Sequence, residues 1–471
     1  MQTYLAIDIG ASSGRHILGW VEEGNLHLEE LYRFENSLIK KNGRLCWDMD
    51  HLAEEVIQGL IKCRELSKIP DSVGIDTWAV DYVLLDGEGN PLGDAVAYRD
   101  SRTQGMDQLV EALVPPEELY ARTGIQKQEF NTIYQLMAVK TQEPALLEKA
   151  QRLLMVPEYL TYCLTGKLEN EYTNASTTGL VNARSKEWDG EILDKLGVPR
   201  RLFGKLRQPG YRVSGFTQEV RDRVGFDCHV VFPATHDTGS AFLAVPAKKG
   251  GVYLSSGTWS LLGTELPDPI TTEESRRRNF TNEGGFQYRF RYLKNIMGLW
   301  MLQSIRREAG PDVTFQALEQ AAREEAVFPA LVDVNDSRFL APENMGEAVR
   351  SLCRETGQAV PENLGQLAAC VYHSLAQSYA QSIRELSQLT GREYTAVNIV
   401  GGGSRDGYLN QLTADACGLP VYAGPTEGTA LGNLMVQMLA AGEFPDLEAI
   451  RKAERQSFSI AEYHPQAQEH L

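Results

Sequence analysis

Four short stretches of this 471-residue chain combine acids, hydroxyls and glycines in an order suited to phosphate chemistry. In "AIDIGASSGR", Asp8 stands near the end of an apolar run, followed by Gly10, Ala11, Ser12, Ser13, Gly14 and Arg15. "YLSSGTWS" repeats that texture with Ser255, Ser256, Gly257 and Thr258, and "IVGGGSR" does so from Gly401 to Ser404. Glycine lets backbone N–H groups approach phosphate oxygens, and hydroxyls add donors. One such loop alone is an ordinary tight turn; three in one chain point to a phosphate ligand. The fourth stretch, "ATHDTGS", sets His236, Asp237 and Thr238 at the end of an apolar run. An acid placed there can take the proton of an attacking hydroxyl, as phosphoryl transfer to an alcohol requires. Asp8 offers a different service, a carboxylate that holds Mg2+ through water.

Other phosphate-binding designs are absent from the sequence. No GxxxxGK[ST] occurs, since "TGK" at 165–167 and "FGK" at 203–205 lack the earlier glycine. No GxGxxG follows a strand, and neither HRD nor DFG is present. P-loop, dinucleotide-binding and protein-kinase readings therefore fail. The net charge of −17 argues against a nucleic-acid partner. No apolar stretch is long enough to span a bilayer, and the chain leads straight into a strand without a signal peptide, so a cytoplasmic protein is expected. Seven cysteines without regular spacing fit a reducing compartment, with Cys353 and Cys370 the one pair worth testing for a bridge. The eight histidines form no HExxH and no CxxC occurs, so a structural zinc is not expected.

The elements that must position these residues are α/β. "TYLAIDIG", "RHILGWVEEG" and "NLHLEELYRF" read as consecutive strands, with "EEGN" as a turn. "MDHLAEEVIQGLIKCRELS" reads as a helix with Leu52, Val56, Leu60 and Cys63 on one face. "SVGIDTWAVDYVLLDGEGN" reads as one strand that meets Asp76, Thr77 and Trp78 before its end, Trp78 offering an apolar wall for a sugar although a lone tryptophan is more often a core residue. Residues 104–225 read as mainly helical. "PAKKGG" resembles a hinge, and the hairpin "VYLSSGTWSLLG" after it echoes the opening hairpin. Leu364 to Leu386 recur at helical spacing until Gly391, and strand–glycine turn–helix units follow. Two halves with similar openings suggest a duplicated domain, the two copies facing one cleft.

Together these residues resemble the FGGY carbohydrate kinases. The resemblance rests on "AIDIGASSGR", "GRLCWDMD", "GIDTWAVDYVLLD", "AYRDSRT", "EYTNASTTGL", "THDTGSA", "YLSSGTWSLLG", "TNEGG", "LKNIMGLWMLQ", "IVGGG" and "LNQLTADACGLPV", which span nearly the whole chain in the family's order. It implies an α/β fold of two actin-like (ribonuclease H-like) ATPase domains with a catalytic cleft between them. Residues 1–246 would form the sugar-binding N-terminal domain with the first phosphate hairpin, and residues 247–471 the ATP-binding C-terminal domain.

The implied reaction is transfer of the γ-phosphoryl group of ATP, with Mg2+, to the 1-hydroxyl of the ketose L-rhamnulose. By resemblance, Ala11, Ser12, Ser13, Gly14 and Arg15 would bind ATP together with Thr258, Gln303 and Gly402. His236, Asp237 and Thr238 would contact the sugar, with Asp237 as the base, and Asn295 and the backbone at Ala79 would complete the sugar pocket. Asp8 would serve the metal. Sugar and ATP would be the partners of a monomer or small homo-oligomer, with no nucleic acid or membrane. One departure stands out: the nearest branch of the family often has glycine where this chain has Ala79. Ala11-Ser12-Ser13, where many members have threonines, agrees with that branch rather than with the glycerol or xylulose branches. The rivals are a kinase for another ketose, such as fuculose or xylulose, a nucleotide-switched actin-like or chaperone-type ATPase, and a sugar-binding regulator.

Overall fold

The computed structural model describes residues 1–245 and 250–466, so most of the expected "PAKKGG" hinge lies outside the described residues. The chain forms two compact units. The first comprises Met1–Ala244, Glu265–Tyr292 and Gly428–Ser457; the second comprises Val245–Thr264, Leu293–Glu427 and Phe458–Leu471. Two segments beyond residue 246 thus pack with the N-terminal half.

The first unit is built on β1 (Thr3–Ile9), β2 (Ser13–Glu22), β3 (Asn25–Glu35), β4 (Ser72–Thr77), β5 (Arg212–Gly215) and β6 (His229–Val231), in the order β5-β6-β4-β1-β2-β3. β1 runs antiparallel to β2 and parallel to β4, β4 runs parallel to β6, and β6 runs antiparallel to β5. The β2–β3 turn is the expected one, with Glu23 and Gly24 both at positive φ. β1 alternates little because both its faces are covered: Leu5, Ile7 and Ile9 are buried with Leu52, Val56 and Leu60 of the Met49–Glu65 helix. The expected 72–85 strand is two strands, because the chain kinks at Trp78–Asp81, where Val80 takes positive φ.

A second sheet contains β7 (Gly251–Ser256), β8 (Trp259–Leu266), β9 (Phe290–Met297), β10 (Ala396–Val400), β11 (Val421–Ala423) and β12 (Ala461–Tyr463), ordered β9-β8-β7-β10-β11-β12 with the short strand Thr281–Gly284 beyond β9. β7 is antiparallel to β8 and parallel to β10, β10 is parallel to β11, and β11 is antiparallel to β12. The pairing pattern of β5-β6-β4-β1-β2 is therefore repeated in β12-β11-β10-β7-β8, the pattern a duplicated domain leaves. The Leu364–Thr390 helix ends at Gly391, which caps it in the left-handed region.

The Gly428–Ala441 helix explains the return of the C-terminal segment to the first unit. Its Gln437 amide donates to the Leu5 carbonyl at 2.9 Å, and its Asn433 amide to the Gly74 carbonyl at 3.0 Å. Both side chains are buried, so these bonds fix the helix against β1 and β4. Gly432 on the same helix meets the Asp237–Leu243 helix so closely that a Cβ would lie 1.8 Å from the Ser240 carbonyl oxygen. Only glycine permits that approach, and it sets the position of the helix that carries Asp237.

Among the described residues no helix is long and apolar enough to cross a membrane. All seven cysteines are free thiols, Cys353 and Cys370 included.

Candidate active site

The expected site residues fall into two groups, one in each unit. In the first unit, β1 and β4 carry Asp8 and Asp76 side by side as register partners, and Arg15 on β2 is the partner of Asp8 on its other flank. The Arg15 guanidinium donates to Asp8 at 2.6 Å, and the Asp8 residue is only 7% exposed. The loop between β1 and β2 is short: the Gly10 N–H donates to the Ser13 carbonyl at 2.9 Å, leaving Ser13, Gly14 and Arg15 on the strand. Asn36 fastens this turn by donating to the Gly10 carbonyl at 2.8 Å. Asp76 is fully buried and accepts from Asn433 at 2.6 Å; burial and the Asp8 charge push its carboxyl well above the usual carboxylate range.

The end of β4 also locates the proton acceptor. Thr77 forms a parallel bridge with His236, and its N–H donates to the Thr235 carbonyl at 3.0 Å. His236 is the N-cap of the Asp237–Leu243 helix, so Asp237 opens that helix. Its carboxylate accepts from the Thr238 N–H at 2.6 Å and keeps 29% of its side-chain surface open. Desolvation by the surrounding protein raises its pKa above the ordinary value and the nearby Asp8 adds to this, while the Thr238 N–H bond and the Arg291 charge pull it down. Such a raised carboxylate is a better proton acceptor than a free one.

Two buried acids that lie within the motifs "EYTNASTTGL" and "TNEGG" but were assigned no role there hold this loop. Glu171 accepts from the hydroxyls of Thr173 and Thr235, each at 2.6 Å, and so anchors the residue next to His236. Glu283 lies 3.0 Å from Arg291 and 3.4 Å from His236. Arg291, 1% exposed in its side chain, also donates to the Gly284 carbonyl and to Thr238. Nothing in spacing marks these residues; the one available signal was a lone arginine in the otherwise apolar run "FRYL".

Ala79 lies at the kink two residues beyond Thr77, and its carbonyl accepts from the Asp81 N–H at 2.9 Å. Trp78 is mainly a core residue. It is 7% exposed, stacks on Trp47 with ring centroids 4.0 Å apart and donates its indole N–H to Asp81 at 3.0 Å. Asp81 also accepts from Trp47, Gln135 and the Tyr98 N–H, and burial raises its pKa to about 6.

The second unit holds Thr258, Gln303 and Gly402, the other residues expected for ATP. Thr258 sits in the turn between β7 and β8, and its carbonyl accepts from the Trp300 N–H at 3.2 Å. That bond joins the turn to the Trp300–Ala309 helix, which carries Gln303. The Gly401–Gly403 loop presses against Ser256, where a Cβ on Gly403 would stand 1.9 Å from the hydroxyl oxygen. Gly402, between them, is exposed, and a Cβ there would meet nothing within 4 Å. Asn295 lies on β9, part of the second unit, whereas Ala79, His236, Asp237 and Thr238 belong to the first.

This arrangement, an acid and hydroxyl loops on a duplicated α/β frame, is that of a sugar kinase. Residues 3–244 match the N-terminal domain of the FGGY family of carbohydrate kinases, and residues 252–441 match its C-terminal domain. The chain belongs to the FGGY family of carbohydrate kinases. It is 47% identical to the rhamnulokinase of Oceanobacillus iheyensis over 462 residues, 98% of each chain. It is 48% identical to that of Halalkalibacterium halodurans, covering 98% of this chain and 99% of the relative, and 44% identical to that of Bacillus subtilis, covering 98% and 95%. Among solved structures, a ligand-bound xylulose kinase from Lactobacillus acidophilus superposes with a TM-score of 0.81 at 18% identity, over 99% of this chain and 94% of that one. Glycerol kinase from Plasmodium falciparum with ADP gives 0.77 at 14% identity, over 99% and 94%. These two likenesses speak for the fold.

Proposed function

We propose that this protein phosphorylates L-rhamnulose at its 1-hydroxyl, using ATP and yielding L-rhamnulose 1-phosphate and ADP. The observation that carries this reading is near full-length similarity to several rhamnulokinases, joined to an acid at the opening of the Asp237–Leu243 helix. The sugar oxygen forms a bond to the γ-phosphorus as the bond from that phosphorus to the β,γ-bridging oxygen breaks. Asp237 takes the hydroxyl proton. His236, Thr238, the Ala79 backbone and Asn295 bind the sugar. Ala11 to Arg15, Thr258, Gln303 and Gly402 bind ATP, so residues 1–246 carry most of the sugar site together with the first phosphate hairpin, and residues 247–471 carry the rest of the ATP site together with Asn295.

Magnesium fits this reading as an ion that arrives with ATP. Among the described residues no three acids, histidines or cysteines converge to hold a bare metal. Asp8, with a single carboxylate at the β1 end, suits a hydrated ion that keeps most of its ligands as water and phosphate. Bound there, Mg2+ would offset negative charge on the transferring phosphoryl group. Asp8 and Arg15 would orient that assembly, with Arg15 free to exchange its carboxylate partner for a phosphate oxygen. The protein would act in the cytoplasm on small molecules alone, as a monomer or small homo-oligomer.

The test is a panel of L-rhamnulose, L-fuculose and D-xylulose with Mg-ATP, following ADP release and the phosphorylated sugar. L-Rhamnulose is expected to give the highest kcat/KM. A higher value for another ketose would reassign the substrate, and ADP release indifferent to every sugar would replace the kinase reading with that of a nucleotide-switched ATPase.

A further inference from the structure

The protonation state of His236 follows from its neighbours. Arg291 is buried and spreads its guanidinium over four groups. Its Nε donates to the Gly284 carbonyl at 3.0 Å, and one terminal nitrogen donates to Thr238 Oγ1 at 2.9 Å and pairs with Glu283 at 3.0 Å. The other terminal nitrogen lies 3.1 Å from His236 Nδ1. A guanidinium has N–H donors and no lone pair to offer, so Nδ1 must accept. A neutral imidazole then carries its proton on Nε2. That nitrogen stands 2.9 Å from Thr238 Oγ1 and 3.3 Å from Asp237 Oδ1. Thr238 Oγ1 is also 3.3 Å from Nδ1, so it sits beside the ring rather than along the Nε2–H direction, and the Nε2 side has Asp237 near it.

The charges around the ring act in both directions. Glu283, 3.4 Å from Nδ1, favours a proton there, but it is nearer to Arg291 at 3.0 Å. Asp237 on the Nε2 side favours a donor, and Glu171 and Asp8 add negative charge beyond Arg291 and Asp237 respectively. A second proton on the ring would point an N–H at the guanidinium. A lysine could not substitute, because a single ammonium cannot address Gly284, Thr238, Glu283 and His236 in one plane.

We propose that Arg291 is a positioning residue that holds His236 as the neutral Nε2–H tautomer, so that the imidazole is barred from competing with Asp237 as a proton acceptor. The inference rests on the reading of Asp237 as the base of a sugar kinase. It leaves Asp237 as the sole acceptor for the sugar proton, although a histidine stands beside it.

The test uses full-length protein with 15N-labelled histidine, the His236 signals being assigned by their loss in His236→Gln. The wild-type ring is expected to show the Nε2–H pattern at the pH of the kinase assay. Removing Arg291 alone would strand the buried Glu283 charge, so the variant is Arg291→Met with Glu283→Gln. There His236 is expected to mix tautomers or titrate, kcat for ketose phosphorylation to fall about tenfold or more, and the kcat–pH profile to gain an ionisation. An Nδ1–H or doubly protonated ring in the wild type overturns the proposal, as does a double variant with unchanged tautomer and pH profile. If the double variant does not fold, Glu283→Gln alone decides: its ring is expected to remain Nε2–H, and loss of that pattern overturns the role given to Arg291. The spectra need no substrate, so a failure of the kinase reading would show in the ketose assay and leave the tautomer result intact.

Discussion

Arg15 and Asp8, register partners on adjacent antiparallel strands, are joined by a 2.6 Å guanidinium–carboxylate contact at the closed end of the first hairpin. The pair explains why an acid can end a buried strand: its charge is answered from the next strand. It also shows how the carboxylate is kept in one orientation. If Asp8 serves a hydrated Mg2+, Asp8→Asn is expected to raise the Mg2+ concentration needed for half-maximal rate by about tenfold or more. Titrating magnesium at saturating sugar and ATP measures this. An unchanged dependence would remove Asp8 from any metal role.

Asp237 keeps its place in the fold through its backbone and through one bond from the Thr238 N–H at 2.6 Å, which an amide oxygen can also accept. Asp237→Asn should therefore melt near the wild type. Its kcat is expected to fall by about 10²- to 10⁴-fold, the span typical of a lost general base. Sugar-dependent ADP release at near wild-type rate would show that another group takes the proton.

What sequence reading could and could not reach divides along a physical line. Asp8, His236 and Asp237 stood out because acids at the ends of apolar strands are locally anomalous. The helices Met49–Glu65 and Leu364–Thr390 were legible from their periodicity, which is also local. Arg291 escaped, and Glu171 and Glu283 went without a role although they lie in quoted motifs, because each is an ordinary charged residue until the fold buries it beside His236 or Thr235. The return of Gly428–Ser457 to the first unit was equally hidden, since it depends on Asn433 and Gln437 meeting strand carbonyls more than 350 residues away. Trp78 shows the converse case. A residue that looked like a sugar platform has its indole N–H committed to Asp81 and its ring to Trp47.

Neighbouring glycines in the second unit should respond in opposite ways to the same substitution. A Cβ on Gly403 would stand 1.9 Å from Ser256 Oγ, so Gly403→Ala must displace β7 or the loop. A loss of about 1–3 kcal/mol in unfolding free energy is expected. A Cβ on Gly402 meets nothing within 4 Å, so Gly402→Ala should leave the melting temperature unchanged. If nucleotide approaches the Gly402 backbone, that variant instead raises KM for ATP while KM for the ketose holds. Equal KM values in wild type and Gly402→Ala would place the nucleotide elsewhere.

Glu158 makes stability depend on pH. It is fully buried in the Val156–Thr165 helix, where its carboxyl oxygens accept from the Met155 N–H at 2.8 Å, the Glu171 N–H at 2.6 Å and the Asn170 amide at 2.6 Å. Burial outweighs these donors and raises its pKa from 4.5 to about 8. Below pH 4.5 both folded and unfolded chains hold the proton; between 4.5 and about 8 only the folded chain does. Stability from this group is therefore complete at low pH and is lost as pH rises toward 8, by about 1.4 kcal/mol per pH unit at the steepest. Asp81, raised to about 6, contributes the same sign over a narrower range that ends sooner. Denaturant unfolding between about pH 6.5 and 8 thus isolates Glu158 from Asp81, and Glu158→Gln is expected to flatten that slope by close to one proton. A slope that persists in Glu158→Gln would assign the proton to another buried acid.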